Sequence, residues 1–297
     1  MLENTNKSII INCFDTQNNV CWRLTTKCNR ECDFCLSDSS PKRILGKIDY
    51  VVILHRLKNL GVTKITYAGG EPFIHPQLES IALLGKELGF NQVVTTNGDF
   101  LFRKMPTWLS AFSFLRLSFY GDESTHDKIM GKGHFSKSLN LARTIFNDYG
   151  LKVAANLMLT SSNHRNLIPI LEKLKVHGVQ QVILLSYIRT GNAGIDDKYL
   201  IKVEGDTPRL NLLELTKEVR FLYGVKYINF DQGDFYIVID EKGNVTLPSG
   251  GERSVLIAGH ITDDELIHPV DGKVSSKIFF ENVWNNRDKI RAVKECI

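Results

Sequence analysis

Apolar residues recur along this chain in two alternating rhythms. Short runs such as Lys64-Ile65-Thr66-Tyr67-Ala68, Gln92-Val93-Val94-Thr95-Thr96 and Phe114-Leu115-Arg116-Leu117-Ser118, together with 152–159 and 181–186, carry the β-branched and aromatic residues of buried strands. Between them lie longer stretches with apolar residues at helical spacing. Ile48, Val51, Val52, Leu54, Leu57 and Leu60 mark the first, followed by helices over 77–88, 135–149 and 167–177 and a weak one around 102–111. Gly61, Gly89 and Gly178 stand just past three of these helices, where left-handed backbone commonly ends a helix. With 21–25 as the first strand, the chain predicts six βα units. Such alternation gives a parallel sheet with helices outside, and six units are too few to close an eight-stranded barrel.

The rhythm breaks after Ser186. Residues 189–208 are glycine-rich and polar, as in a loop over a barrel mouth. A helix at 210–222 follows, then a hairpin of 235–240 with 245–247 about Lys242-Gly243-Asn244, a short strand near 255–258 and a terminal helix around 283–294. The expected organisation is an N-terminal extension (1–20), a barrel core (21–205) and an α+β region (206–297) capping the barrel.

Composition narrows the class without naming a function. The 297 residues are 43% hydrophobic and 24% charged, as in a soluble globular protein, and the net charge of +4 forms no basic run of the kind that marks nucleic-acid binding. No apolar run approaches the roughly 20 residues of a membrane helix, and the N-terminus lacks a signal-peptide pattern. Six cysteines in a chain this long make no disulfide framework. A reducing cytoplasm is the expected compartment.

The chemistry concentrates in two stretches that each follow a strand. Cys28, Cys32 and Cys35 stand at C-x3-C-x2-C spacing, and thiolates so grouped suit an iron–sulfur cluster or zinc. Structural zinc wants a second pair of ligands, and no second knuckle follows. A cubane cluster held by three cysteines keeps one iron open, which favours the cluster. The second stretch is Gly69-Gly70-Glu71-Pro72. The cysteine triplet, with Phe34 before its last member, and the GGEP segment after the next strand resemble the radical S-adenosylmethionine (SAM) enzymes. The resemblance covers about residues 20–190.

That resemblance implies an open partial (β/α)6 barrel with a C-terminal α+β extension, a [4Fe-4S] cluster on Cys28, Cys32 and Cys35, and SAM chelated to the open iron. One electron passed to SAM would release a 5′-deoxyadenosyl radical that abstracts hydrogen from a substrate. The electron donor would be flavodoxin- or ferredoxin-like. Catalytic groups in a parallel barrel gather at the C-terminal strand ends. The expected SAM contacts are therefore Gly69, Gly70, Glu71 and Pro72, then Thr96 and Asn97, Ser118, Asn156, and Phe34 beside the adenine. No catalytic residue is assigned beyond the cluster.

Other residues read more plainly. Cys13 and Cys21 read as buried thiols and Cys296 as a tail thiol; His126, His134 and His164 read as solvated histidines above the barrel, and Arg189, Lys198, Lys202 and Arg253 as solvated charges. No cysteine lies between Cys35 and Cys296, so one cluster is expected. The run Ser118-Phe119-Tyr120-Gly121-Asp122 through Met130-Gly131 is similar to the peptide-maturing and cofactor-biosynthetic branch, which implies a peptide or small biosynthetic intermediate as substrate. The alternative is a viperin-like nucleotide dehydratase acting on a nucleoside triphosphate, similar in length and C-terminal layout. A non-catalytic iron–sulfur or zinc module is the remaining reading.

Overall fold

This computed structural model describes residues 18–37, 39, 41, 49–164, 167–187, 199, 219, 221, 224–228, 237–248, 255–268 and 271–285. The expectations for 1–17, for most of 189–222, for 249–253 and for Cys296 lie outside the described residues.

The core alternates as expected. Strand β1 (Asn19–Arg23) leads to α1 (Tyr50–Asn59), β2 (Lys64–Ala68), α2 (Leu78–Glu87), β3 (Asn91–Thr96) and β4 (Phe114–Phe119). Helices α3 (Glu123–Met130) and α4 (His134–Tyr149), β5 (Lys152–Leu159), α5 (Leu167–Val176) and β6 (Gln181–Ser186) follow. Strands β1 to β6 pair in chain order, every ladder parallel. Alternation along each strand separates two faces. Val20 and Trp22, Ile65 and Tyr67, Leu115 and Leu117 belong to the large apolar core on the convex, helix-packed face. Cys21 and Arg23, Lys64 and Thr66, Arg116 and Ser118 are their neighbours in sequence and face the concave side.

The sheet does not stop at six strands. β7 (Val225–Ile228) adds in parallel beside β6, and β8 (Ile237–Ile239) adds in parallel on the free side of β1. β9 (Asn244–Pro248) and β10 (Val255–His260) then continue antiparallel, giving ten strands in the order β10-β9-β8-β1-β2-β3-β4-β5-β6-β7. The predicted hairpin is therefore β8–β9, stitched into the barrel sheet. A separate hairpin of β11 (Glu265–His268) and β12 (Gly272–Ser275) leads into α6 (Ser276–Asn285). Arg56 on α1 donates to the carbonyls of Ile261 and Asp263, and the Trp284 indole to that of Asn19, fastening this tail to the start of the barrel.

Two expectations need correction, and one further helix was not expected. The weak helix at 102–111 is a short 3-10 turn at Thr107–Ala111, which begins only after Pro106 and carries Trp108 onto Phe73. The segment 123–130 is a helix, capped by the Asp122 carboxylate on the Thr125 amide and ended at Gly131. The terminal helix expected around 283–294 already begins at Ser276, where the Ser276 side chain and amide both dock on the turn before β11; positions 286–294 lie outside the described residues. No helix among the described residues is long and apolar enough to cross a membrane.

Candidate functional site at the strand ends

The cysteine loop leaves β1 at Leu24 and stays zipped to the segment that leaves β2. Leu24 donates to the Ala68 carbonyl at 2.9 Å, Gly70 to Thr25 at 2.6 Å and Glu71 to Lys27 at 3.0 Å. This close approach explains the glycine pair. A Cβ on Gly69 would fall on the Thr25 carbonyl and one on Gly70 on the Lys27 carbonyl. The glycines admit the backbone of the cysteine loop, a reason that the sequence reading, which had them admit a ligand, did not include.

Glu71 is buried, with only 1% of its surface exposed. Its Oε1 accepts from the Phe73 amide (3.1 Å) and the Thr96 hydroxyl (2.8 Å), and its Oε2 from the Asn97 amide (2.9 Å). Burial pushes its pKa up to about 7 against these three hydrogen bonds. The side chain therefore serves as a strut between the ends of β2 and β3. Thr96 is likewise spent, since its hydroxyl also accepts from the Gly98 amide. Pro72 opens a short 3-10 turn and is buried.

Asn97 extends the strut to the cysteines. Its Nδ2 donates to Asn29 Oδ1 at 2.9 Å and lies 4.0 Å from Cys28 Sγ, while its Oδ1 accepts from the Asp99 amide. Asp99 in turn grips the loop. Arg30 donates Nε and Nη2 to its two oxygens at 2.6 and 2.7 Å, and Asn29 Nδ2 adds a third bond at 2.6 Å. Burial works to raise the Asp99 pKa, but Arg30 outweighs it and the carboxyl stays below its usual range. Arg30 also reaches the Met130 carbonyl at 2.5 Å. His134 Nε2 sits 3.3 Å from Asp99, and His134 Nδ1 lies 2.8 Å from His126 Nε2. These two histidines are buried, 4% and 0% exposed, contrary to their reading as solvated groups; burial holds both below the ordinary imidazole range.

Asp99 and Arg30 are the residues that sequence reasoning missed. Their signal was present: opposite charges in the loops after the third and first strands, one of them between two cysteines. Phe34 sits in a small apolar group with Met158 and Tyr187, its ring 4.9 Å from Tyr120 and 5.4 Å from Tyr199. Tyr199, from the segment expected to overhang the mouth, places its hydroxyl 3.0 Å from Asp33 in the cysteine loop. Ser118 and Asn156 are cross-strand partners on the concave face; the Ser118 side chain bonds the Tyr120 phenol, and Asn156 Oδ1 is buried with no partner.

Cys28, Cys32 and Cys35 are thiols on one loop. Burial, then the neighbouring thiols, push Cys32 up to about 12, so the sulfurs lie close enough to feel one another. Burial and nearby carboxylate and thiol groups take Cys28 to about 11, against hydrogen bonds from the loop backbone. Among the described residues no three Cys, His, Asp or Glu side chains converge on a point fit for a single ion. Three soft donors on one loop suit a cluster of several metals.

The comparisons with known proteins agree with this geometry. Residues 22–184 match the radical SAM superfamily. The Fe-coproporphyrin III synthase of Methanosarcina barkeri is 26% identical over 58% of this chain, a match that spans only 44% of that protein. A SAM-dependent nucleotide dehydratase from a Thermoplasmatales archaeon (strain ISO4-H5) is 26% identical over 76% of this chain and 82% of its own length. In fold, Streptococcus suis SuiB bound to SAM superposes with a TM-score of 0.61 at 14% identity over 93% of this chain and 68% of its own. The enzyme anSMEcpe with AdoMet and a peptide gives 0.63 at 17% identity over 90% and 81%. The partial barrel of parallel strands, the thiol loop at its mouth and a match over more than half the chain therefore agree: this protein belongs to the radical SAM superfamily, whose members use a [4Fe-4S] cluster and SAM.

Proposed function

We propose that the chain is a radical SAM enzyme in which Cys28, Cys32 and Cys35 ligate the cluster. The observation that carries this reading is the seating of the three-thiol loop on Gly69 and Gly70, held there by Glu71, Asn97 and Asp99. Such a strut positions the ligands before any cofactor arrives, which is what a preorganised site requires. When bound, the cluster and SAM supply a 5′-deoxyadenosyl radical; the chain's own part is to hold both, orient the substrate and keep the barrel dry. The carbonyls of the segment around Gly69 and Gly70 are offered to the amino group of SAM, and Ser118, Asn156 and Phe34 line its approach.

Thr96, Asn97, Glu71 and Pro72 then act on the cofactor indirectly, by fixing those neighbours. Reducing power comes from a flavodoxin- or ferredoxin-like donor. Two substrate classes follow from the relatives: a peptide or small biosynthetic intermediate, and a nucleoside triphosphate. The match over 82% of a nucleotide dehydratase specifically favours the second.

The test uses anaerobically reconstituted protein with SAM and dithionite. About four irons and matching sulfide per chain, with formation of 5′-deoxyadenosine, are the expected result. One zinc and no iron, or a full cluster with no cleavage, would overturn the reading.

A further inference from the structure

The sulfur of Cys28 is met by N–H groups from two directions. The backbone amide of Arg30 donates to Sγ at 3.4 Å, and Asn97 Nδ2 approaches it at 4.0 Å. The neighbours of Asn97 settle which way its amide points. Its Oδ1 accepts from the Asp99 amide at 3.0 Å, and a backbone N–H donates only to an oxygen there, so the nitrogen faces Asn29 and Cys28. The Asn97 backbone is fixed as well, since its own amide donates to Glu71 Oε2 at 2.9 Å. As a thiol, Cys28 can donate to Asn29 Oδ1, 3.8 Å away; as a metal ligand it has lost that proton and only accepts.

Charge is arranged around the same loop. Arg30 stands two residues from Cys28 and two from Cys32. Its side chain is only 27% exposed, so solvent screens it incompletely. Asp99, 18% exposed, answers it with two bonds of 2.6 and 2.7 Å. Reduction adds negative charge to an iron–sulfur centre. Donors aimed at a ligand sulfur and cations close by therefore favour the reduced state, and carboxylates close by oppose it. Here the two influences are set against each other: N–H groups on Cys28, and a guanidinium whose charge Asp99 cancels.

We propose that Asn97 and Asp99 set the reduction potential of the cluster held by the three cysteines, Asn97 raising it through the Cys28 sulfur and Asp99 lowering it by neutralising Arg30. Both are positioning residues, acting through a ligand and through Arg30 rather than on the reacting atoms. This deepens the proposed function and rests on the cluster assigned there.

The experiment titrates reconstituted holoenzyme potentiometrically, anaerobically and without SAM, following the paramagnetic resonance signal of the reduced cluster. Asn97→Ala and Asn97→Asp should both lower the potential, so that the ratio of reduced to oxidised cluster at the wild-type midpoint falls about threefold or more. Asn97→Asp is isosteric and keeps the acceptor for the Asp99 amide; it decides the matter if the alanine variant loses its cluster. Asp99→Asn should shift the ratio the opposite way, because the Arg30 charge is left unanswered, and adding Arg30→Gln should take that gain back. Leu117→Ala, which loosens the core from the convex side, should titrate as wild type. A loop merely loosened by its substitutions would move Asn97 and Asp99 variants in the same direction, and that result would overturn the proposal. Unchanged potentials would do so too, as would an unchanged potential with a raised KM for SAM in the Asn97 variants, which makes Asn97 a direct SAM contact. If wild type takes up no iron–sulfur cluster, the proposed function falls and the tuning with it; an intact cluster with indifferent potentials sinks the tuning alone.

Discussion

The two faces of the same sheet are made from alternate residues of the same strands, yet they obey different rules. The convex side of β4 offers Leu115, Leu117 and Phe119, each no more than 1% exposed and packed against helices. Its concave side offers Arg116 and Ser118 one residue along. Burying the first set contributes most of the stability that apolar burial gives a domain of this size. The second set is half-buried and polar, and such groups are stable there only with polar partners, as Ser118 has in the Tyr120 phenol. Substitutions on the convex face should therefore change folding and leave chemistry alone. Substitutions at the mouth should do the reverse.

The sharpest break in that contrast is Cys32→Ala. Loss of the brown chromophore and of all SAM cleavage is expected, with the far-ultraviolet circular dichroism spectrum retained; full activity would refute the assignment of the ligand. On the opposite face, Leu117→Ala removes a core side chain and should destabilise the fold by about 2–5 kcal/mol. Iron content per folded chain should not change, and a loss of cluster without a loss of stability would erase the division between the faces.

Gly70→Ala tests the seam where fold and site meet. Its Cβ meets the Lys27 carbonyl, so overpacking of about 1–3 kcal/mol is expected. Because the strain falls on the cysteine loop, cluster occupancy should drop further than in a convex-face variant of equal stability. Matched occupancy in the two would contradict the proposed role of the glycine.

The smallest effect concerns the His126–His134 pair, whose pKa values burial depresses in the fold. In the unfolded chain imidazole takes its proton near pH 6.5. The unfolded state thus binds more protons as pH falls through that value, and stability falls with it. The full contribution is present above about pH 6.5, and between pH 8 and 6 about 1 kcal/mol or less per histidine should be lost. Denaturant midpoints of wild type and His126→Asn at the two pH values measure this; equal pH slopes would show that folding does not shift the His126 pKa.

Much of this could be read before the structure. Helical spacing found α1, α2, α4 and α5, and glycines marked where α1, α2 and α5 stop. Motif spacing marked the cysteine loop and Gly69–Gly70. What escaped was of two kinds. Short elements such as α3 and the β11–β12 hairpin have too few residues for periodicity to show, and Asp122 capping alone announces α3. The network through Asp99 escaped because it joins residues about seventy positions apart, and no local pattern records that Arg30 and Asp99 meet. The attachment of β8 beside β1 is hidden for the same reason.

That attachment has a consequence in time. β1 is finished by a strand made over two hundred residues later, since Val20 pairs with Ile237. At roughly 5–20 residues per second, the ribosome needs on the order of ten to forty seconds to deliver β8 after β1 has emerged. Throughout that interval one edge of β1 is open beside the cysteine loop, exposing unpaired backbone to any other strand. The arrival of β8, with β9 and β10 beyond it, then covers that edge.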